Sequence, residues 1–444
     1  MNDVVKRIGI WLATAAAALA APAQTQAQAL PDAPQLAVPG PNAVGVMRLD
    51  VTNPDQPDLL LPATGGIARH DRVLPLTIWY PAARPARATP AHYVPYVPGP
   101  QAKGGRTGTA FTSAAPIRGH FPLVVFSHGF HNWATGFADL AEHLASRGYV
   151  IASIDHSDAD RAAKIPPLAA FGMTVVSRSA DQRFVIAELT RRAGSGPLAG
   201  AYDATKIALM GYSMGGFGAL ATAGAGFDPA SPLYKLVPGD LLAPYAAGAP
   251  LIAQGAPAGV KAIVAFAPWG GGAPLRAWKA ASLGQIRTPT LMVVGDHDDV
   301  SGYDGGVAWL YAQLTGADRR MLVYQNAHHN VAGDGTTGLT GVDFAKVEQL
   351  EEPVWRRDRI LAINRHFVTA FLDATLKGDA AHAAFLAVPT IKSDAGVWPL
   401  AQGASVGAQF AAPGDAGSKG YWPGFQRRWA LGLELHHDLP KDAR

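Results

Sequence analysis

The chain has 444 residues, 48% of them hydrophobic and 16% charged, and a formal net charge of +3 at pH 7 with histidine counted as neutral. This composition is enough for one large or two modest folded domains, and so small a charge gives no reason to expect a nucleic-acid or anionic-membrane partner. The chain has no cysteine, so we expect side-chain packing rather than disulfides to stabilise it.

The first 29 residues have the features of a signal peptide. Lys6 and Arg7 precede an apolar run over residues 8–21, and Ala-Gln-Ala at 27–29 fits the small-x-small rule for cleavage. The apolar run is shorter than the ~20 residues that a membrane-spanning helix needs. We therefore expect an exported protein, periplasmic or extracellular, that begins near Leu30 after cleavage and does not insert stably into a membrane.

The chain up to residue 119 has little helical periodicity. Residues 30–43 are rich in proline and alanine and are predicted to form a flexible leader. Runs at 44–51 and 74–80 are predicted strands, of the kind that lead an otherwise parallel sheet with antiparallel pairing. The stretch 81–119 is rich in Pro, Gly, Ala and Tyr, and we expect a long surface excursion that could pass over the active site.

Strands and helices alternate from residue 120 onward. Apolar runs predict strands at 121–126, 149–154, 207–210, 260–266, 290–294 and 320–324, and apolar stripes at helical spacing predict helices at 137–148, 179–192 and 357–376. Such alternation predicts an α/β fold, with a mostly parallel, doubly wound sheet and helices on both faces. Residues 44–377 would form this domain, 224–259 an insertion that is a candidate lid, and 378–444 an extension packed on the domain.

The sequence Gly-Tyr-Ser-Met-Gly at 211–215 falls between a predicted strand and a predicted helix. In that context Gly-x-Ser-x-Gly is typical of a nucleophile elbow, a strained turn that lifts the serine hydroxyl clear of the sheet. Glycine at both ends leaves room for the neighbouring strand and helix. Ser213 is therefore the predicted nucleophile. The alternative is a glycine-rich turn that only packs a helix on a strand.

A serine nucleophile needs a base to take its proton and an acid to orient that base. The loops after two later strands offer these residue types, in the order Ser, Asp, His that accompanies this elbow. The carboxyl ends of parallel strands lie at one edge of a sheet, so the three groups can converge.

The loop Gly-Asp-His-Asp-Asp-Val after the strand at 290–294 contains the candidate acids. Asp298 is the predicted acid because it lies a few residues past the strand and an apolar residue follows closely, whereas Asp296 and Asp299 are alternatives. In the loop Gln-Asn-Ala-His-His-Asn, His329 is the predicted base and the adjacent His328 is the alternative.

The tetrahedral intermediate of acyl transfer also needs amide donors for its oxyanion. The N–H of Met214, directly after the nucleophile, is one predicted donor. The loop Ser-His-Gly-Phe at 127–130 follows an earlier strand, and the N–H of Phe130 is the second. We expect His128 to brace this loop through hydrogen bonds and to take no part in the proton relay.

Three aromatic residues near these motifs have two interpretations. Tyr212, Trp133 and Trp269 either line an acyl or alcohol pocket or belong to the core. We expect no metal and no cofactor, because two adjacent histidines without further ligands do not make a metal site and the chain has no cysteine to add.

Two polar segments are assigned structural roles. The segment Asp-His-Ser-Asp-Ala-Asp at 155–160 is interpreted as a surface turn after a strand. Arg178 and Asp181 begin a predicted helix, and we expect them to form an ion pair that fixes it.

Taken together, these motifs resemble the landmarks of the α/β-hydrolase fold. More narrowly, the segments 122–129, 144–156 and 178–184 are similar to those of the predicted dienelactone hydrolase and platelet-activating-factor acetylhydrolase-like group. The resemblance covers residues 120–376 and implies a serine esterase. True dienelactone hydrolases use a cysteine nucleophile, so Ser213 argues against that activity. The loops are also similar to those of cutinase-like polyester hydrolases, which are shorter and often disulfide-bonded.

The sequence therefore predicts a secreted serine carboxylester hydrolase that acts on a small-molecule or lipid-like ester through a Ser-His-Asp triad and an acyl-enzyme. A serine peptidase or acyltransferase on the same fold, and a cutinase-like polyester hydrolase, are alternatives. A non-catalytic binding protein would require a degenerate triad, and no motif here is interrupted.

Overall fold

The computed structural model describes residues 30–61, 65–94, 103–156, 167–401, 403, 410–411 and 420–441. The predicted signal peptide, residues 1–29, lies outside the described residues. The strands are β1 Ala43–Asp58, β2 Ala68–Ala82, β3 Pro90–Tyr93, β4 Lys103–Gly104, β5 Arg106–Thr112, β6 Phe121–Ser127, β7 Val150–Ile154, β8 Tyr202–Tyr212, β9 Val260–Phe266, β10 Thr290–Gly295, β11 Arg319–Tyr324, β12 Leu339–Thr340 and β13 Leu433–Asp438.

Helices cover this sheet and fill its connections. The α-helices are α1 Ala138–Ser146, α2 Pro167–Arg192, α3 Met214–Thr222, α4 Pro232–Leu236, α5 Pro250–Ala253, α6 Ala280–Leu283, α7 Trp309–Gln313, α8 Phe344–Leu350, α9 Arg357–Leu372 and α10 Ala380–Ala383. Short 3₁₀ turns occur at Gln35–Ala37, Ala243–Tyr245, Ala384–Leu386 and Ser393–Ala395, and π-helical turns at Tyr303–Ala308 and Asp373–Lys377.

Eleven strands form one mixed sheet in the order β13-β11-β10-β9-β8-β6-β7-β2-β1-β5-β3. The strands from β7 to β11 pair in parallel, and β2 and β13 pair antiparallel at either side of them. The mostly parallel α/β sheet and its antiparallel leading strands are thus confirmed.

The sheet is buried on both faces, as β6 shows. Leu123 and Val125 point to one face and pack with α2 and α3, whereas Val124 and Phe126 point to the other and pack with α1 and α9. Side chains of a strand alternate between faces, so an apolar run without polar interruptions suits a strand covered on both sides. Burying an aliphatic side chain of this size stabilises the fold by about 1.5–3 kcal/mol.

Two expectations for the N-terminal third need correction. Residues 30–43 are not a flexible leader, because Leu36 is buried and its N–H donates to His366 Nδ1 at 3.1 Å. The described parts of the stretch 81–119 form strands rather than an irregular surface excursion. They supply β3, β4 and β5: β5 pairs with β1, and β4 pairs with β12 in the segment that follows the histidine loop.

The C-terminal residues pack on the domain and also extend its sheet. β13 pairs antiparallel with β11, so the strand predicted at 320–324 is not the last one. Trp422 and Phe425 are buried against Phe367 of α9. The extension thereby covers the edge strand β11, whose backbone would otherwise be unpaired.

The insertion at 224–259 folds into the short helices α4 and α5 with a 3₁₀ turn between them. Arg183 of α2 donates both to the carbonyl of Thr222, at the end of α3, and to that of Gly255. These bonds place the end of the insertion beside the C-terminal end of α3. In the part of the chain that the structure describes, no helix has the length and apolar character needed to cross a bilayer.

In the sheet β6 lies between β7 and β8: the connection after β6 leads to β7 on one side, and the connection after β7 crosses back to β8 on the other. Such a reversal of strand order opens a crevice beyond the carboxyl ends of the two strands. Phe130 follows β6 and Ser213 follows β8, so this topology brings their loops to the same edge of the sheet.

Candidate active site

Ser213 occupies the sharp turn between β8 and α3. Its backbone angles are φ 53° and ψ −114°, a region that residues with a side chain rarely adopt. The glycines on either side make the turn possible: a Cβ on Gly215 would overlap the carbonyl oxygen of Ser127, and one on Gly211 would overlap the backbone of Gly215. The turn has the geometry of a nucleophile elbow.

Asp298 and His329 form a buried hydrogen-bonded pair. His329 Nδ1 lies 3.0 Å from Oδ1 and 2.9 Å from Oδ2 of Asp298. Oδ1 also accepts the backbone N–H groups of Val300 and Ser301, at 3.0 and 2.7 Å. Because an ionised carboxylate only accepts hydrogen bonds, His329 donates from Nδ1 and its Nε2 remains an acceptor. A general base requires this tautomer.

Tyr212 brings the elbow beside His329. The two ring centroids are 5.1 Å apart, and Tyr212 directly precedes Ser213. Burial, reinforced by the negative charge of Asp298, raises the pKa of Tyr212 above its ordinary value. In the described structure the ring of His329 is hydrogen-bonded to Asp298 and not to Ser213 Oγ. In structures of serine hydrolases without substrate, the distance from the histidine to the serine hydroxyl is often longer than a hydrogen bond.

The loop that carries His329 is held by an arginine that no sequence pattern identified. Arg357, at the start of α9, donates to the carbonyl oxygens of Asn330, Ala332 and Gly333 at 2.9–3.3 Å. The Tyr212 hydroxyl donates to Asn330 Oδ1 at 3.1 Å. These bonds tie the histidine loop to α9 on one side and to the elbow on the other.

The two predicted oxyanion donors lie at the ends of β6 and β8. A Cβ on Gly129, the residue before Phe130, would lie 3.3 Å from the Cβ of Ser213. Met214 is the first residue of α3, where helix geometry leaves the N–H without an intrahelical partner. Within the described ranges, neither this N–H nor that of Phe130 has an acceptor.

An aromatic surface adjoins the elbow. The backbone N–H of Trp269 donates to the Ser213 carbonyl at 3.2 Å, and the Trp269 ring lies 5.3 Å from that of Phe171. Phe171 in turn lies 6.1 Å from Phe130, and all three rings are only partly buried. Phe171 was missed because α2 begins at Pro167 rather than near residue 179. Trp133 is buried in the loop before α1, outside the ring contacts described for this cluster.

The residues named as alternatives have other contacts. The side chain of His328 is 40% exposed, and its backbone N–H donates to Glu352. Asp296 accepts the backbone N–H of Asn326 at 2.6 Å, and Asp299 is exposed. Only Asp298 among the three aspartates contacts the ring of His329 in the described structure.

Away from the predicted triad, a hydrogen-bonded chain of a serine, a histidine and an aspartate lies beneath the loop that carries Phe130. Ser127 Oγ is 2.6 Å from His156 Nε2, and His156 Nδ1 is 2.8 Å from Asp181 Oδ2. Arg72 of β2 pairs with the same carboxylate through Nε and Nη2 at 2.9–3.2 Å. His156 is therefore not part of a surface turn, and Asp181 pairs with Arg72 rather than as expected with Arg178. The remaining acids of that segment, Asp158 and Asp160, lie outside the described residues.

In the described part of the chain, one group has the spacing of metal ligands, and it lies away from this site. Atoms of Asp373, Asp379 and His382 lie within 4.8 Å of one another. Both carboxylate oxygens of Asp373 are already engaged, Oδ1 by Tyr149 and Lys377 and Oδ2 by His382. This group is accounted for by ion pairs at the end of α9.

The sheet order, the elbow after β8 and the acid and histidine loops after β10 and β11 define the α/β-hydrolase fold. The structure is similar to that of a ferulic acid esterase from Streptomyces cinnamoneus, with a TM-score of 0.54 and 22% identity over 79% of this chain and 98% of that one. At this identity the likeness concerns the fold.

Two sequence similarities agree with that fold. The model of the family described as platelet-activating factor acetylhydrolase, isoform II, matches residues 106–166. The bis(hydroxyethyl) terephthalate hydrolase of Streptomyces coelicolor is 24% identical over 255 residues, which is 57% of this chain and 65% of that protein. The match therefore spans slightly less than two thirds of this relative's length.

Proposed function

We propose that the chain is a serine carboxylester hydrolase, with Ser213 as nucleophile, His329 as base and Asp298 as the residue that orients the base. The proposal is carried by one arrangement: a strained serine whose preceding residue, Tyr212, packs on the imidazole of a buried Asp-His pair. The named activities of the two similar Streptomyces proteins, both ester hydrolases, support the same reaction class.

The mechanism follows from the tautomer of His329. Nε2 takes the hydroxyl proton of Ser213 while Oγ attacks the ester carbonyl carbon, and the N–H groups of Phe130 and Met214 stabilise the oxyanion. When the intermediate collapses, Nε2 returns the proton to the departing alcohol. Water then repeats the sequence on the acyl-enzyme, which releases the carboxylic acid and restores Ser213.

The substrates that this site favours are esters of aromatic carboxylic acids. Phe130 and Trp269 belong to the two loops that contact the elbow, and their partly buried rings lie on either side of the ring of Phe171. Aromatic rings pack against one another in offset or edge-on arrangements. The named substrate of one similar protein is a terephthalate ester, and the other is an esterase of ferulic acid. Both acids are aromatic.

The test of the mechanism is Ser213→Ala, assayed with p-nitrophenyl butyrate, methyl ferulate and bis(hydroxyethyl) terephthalate. Turnover of each substrate that the parent protein hydrolyses should fall by on the order of 10³-fold or more. A fluorophosphonate should label the parent protein on the peptide that contains Ser213. Ser282→Ala is the matched control, because Ser282 is buried and donates to the carbonyl of Gly226 in the insertion. Full activity in Ser213→Ala would exclude the mechanism.

The same assays separate the alternatives. A peptidase would cleave peptide anilides at rates comparable to esters, and an acyltransferase would form a new ester when an alcohol acceptor is added. Release of soluble acid from a polyester film would identify a polyester hydrolase.

Export of the protein is proposed from the sequence of residues 1–29 alone. Fractionation of cells that express the full chain, with amino-terminal sequencing of the product, tests this proposal.

A further inference from the structure

The carbonyl oxygen of Gly129 is held by two buried side chains. His128 Nδ1 lies 2.7 Å from it and Arg178 Nη2 lies 3.2 Å from it. Both side chains belong to residues that are 0% exposed. Two donors on one carbonyl leave little freedom for the plane of the peptide that joins Gly129 to Phe130.

The orientation of that peptide decides where the Phe130 N–H points. In a trans peptide the C=O and the following N–H point in opposite directions. Since the Gly129 carbonyl is turned toward Arg178 on α2, the Phe130 N–H is turned away from α2. Gly129 itself lies against the elbow, with its Cβ position 3.3 Å from the Cβ of Ser213.

The partners of His128 determine which of its nitrogens carries the proton. The backbone N–H of His156 donates to His128 Nε2 at 3.1 Å, so Nε2 is an acceptor. Asp155 Oδ1 lies 3.7 Å from the same nitrogen, beyond hydrogen-bond distance. With Nε2 accepting from His156, the proton is on Nδ1, where it is donated to the Gly129 carbonyl at 2.7 Å. His156, two residues beyond β7, thereby fixes the tautomer that lets His128 donate to the Gly129 carbonyl.

The buried ion pair beneath the loop holds the segments that supply both donors. Asp181 lies three residues after Arg178 on α2 and contacts both Arg72 and His156. The ring of His156 also contacts Ser127, the residue before His128. The chain of contacts thus connects β2, β6, the residues after β7 and α2. Removing one of its charged members would leave a buried charge without a partner, which is strongly destabilising. Ser127 is 0% exposed, so this Ser-His-Asp chain has no access to substrate.

We propose that His128 and Arg178 are positioning residues for the oxyanion site: they fix the plane of the Gly129–Phe130 peptide and so aim the Phe130 N–H at the substrate oxyanion. The Arg72–Asp181–His156–Ser127 chain keeps both donors in place. This inference rests on the proposed function, because it assigns a role to residues around the oxyanion of the Ser213 reaction.

Arg178→Met tests the arginine, since methionine keeps much of the side-chain length and removes the donors. We expect kcat for an aryl ester to fall roughly 10- to 100-fold with KM within about twofold, because an oxyanion donor acts in the transition state. Arg183→Met is the matched control: Arg183 is on the same helix and also donates to a carbonyl, that of Thr222, at the other end of α3. Its kcat should stay at the parent value.

The His128 series separates positioning from simple bracing. An asparagine amide reaches the place of Nδ1 and can still donate to Gly129, a glutamine amide reaches the place of Nε2 and can still accept from His156, and leucine does neither. His128→Asn should keep most of kcat, while His128→Gln and His128→Leu should lose roughly 10- to 100-fold. Affinity for a trifluoromethyl ketone, which forms an oxyanion on Ser213, should fall in parallel with kcat/KM.

The outcomes distinguish the two proposals. If Ser213→Ala keeps its turnover, the proposed function fails and this inference fails with it. If Ser213→Ala is inactive while Arg178→Met and His128→Leu keep kcat within about twofold, only the inference fails. It also fails if His128→Gln is more active than His128→Asn, because bracing of β7 would then be the role of His128. If Arg178→Met does not fold, the His128 series decides.

Discussion

Asp298 Oδ1 accepts from His329 Nδ1 and from the backbone N–H groups of Val300 and Ser301. The carboxylate is thus fixed by its own loop before it contacts the imidazole. In the proposed mechanism, an acid held in this way orients the histidine and stabilises the positive charge that forms on it.

Replacing Asp298 by asparagine should therefore impair turnover. Asparagine is almost the same size but presents an NH₂ group, which either opposes a backbone N–H or forces His329 into the other tautomer. We expect kcat to fall by on the order of 10³- to 10⁴-fold with the fold retained, as judged by circular dichroism. Asp299→Asn is the control at an exposed neighbour and should stay within about threefold. Equal losses in the two variants would contradict the assignment of Asp298.

Substitutions of the two adjacent histidines, His328 and His329, should also differ in their effect on turnover. His329 contacts Asp298, whereas the His328 side chain is 40% exposed and its backbone is tied to Glu352. His329→Gln should lose on the order of 10³-fold or more in turnover, because the base is removed. His328→Gln keeps the backbone hydrogen bond and should lose little. If His328→Gln were the inactive variant, the base would have to be reassigned.

The central strands and the elbow were predictable because their information is local. An apolar run in β6, or Gly-x-Ser-x-Gly between a strand and a helix, requires only neighbouring residues. The short strand β3 and the half-polar β13 depend on pairing with distant partners, and their own side chains do not mark them. The composition of residues 30–43 wrongly predicted a flexible leader, because what orders this segment is the contact of Leu36 with His366, which lies 330 positions away in the sequence.

For the candidate site, too, the sequence was informative only where the pattern is local. Ser213, Asp298 and His329 were predicted because they follow strand ends in the order Ser, Asp, His, and the sequence left Asp296, Asp299 and His328 open as alternatives. Arg357 and Arg178 act on backbone carbonyls of loops that are remote in sequence. Any arginine can do this, so no residue pattern identifies the ones that do, and only the folded structure can.

The aromatic surface predicts a substrate preference. Trp269 is anchored beside Ser213 by its own backbone, so Trp269→Ala removes the ring and leaves the hydrogen bond to the elbow. We expect kcat/KM for methyl ferulate to fall by roughly 10-fold or more while that for ethyl acetate changes by less than about threefold, because only the aryl ester packs on the ring. Phe171→Ala should act in the same direction. A uniform loss on both esters would argue for a role in folding instead.

The buried histidines next to α9 predict how stability depends on pH. His366 is 0% exposed and accepts the N–H of Leu36, and burial, reinforced by the charge of Arg147, lowers its pKa to about 3. Burial also lowers the pKa of His143 well below its ordinary value. In the unfolded chain both titrate near ~6.5, so below that pH the unfolded state binds more protons than the folded state. The stabilising difference is fully present above pH ~6.5 and is lost progressively as the pH falls toward 3.

Urea unfolding between pH 7 and pH 4.5 measures this effect. Each buried histidine should contribute a decrease of up to about 1.4 kcal/mol in unfolding free energy per pH unit. His366→Phe should lower stability at pH 7, because the Leu36 N–H loses its acceptor, and should also make the dependence on pH shallower by about one proton. His92→Gln, at an exposed position, is the control and should keep the parent slope. The prediction would be contradicted if the unfolding free energy of His366→Phe depended on pH as steeply as that of the parent. His366 would then bind a proton equally well in the folded and the unfolded chain, which its burial among Phe367, Phe385 and Phe425 opposes.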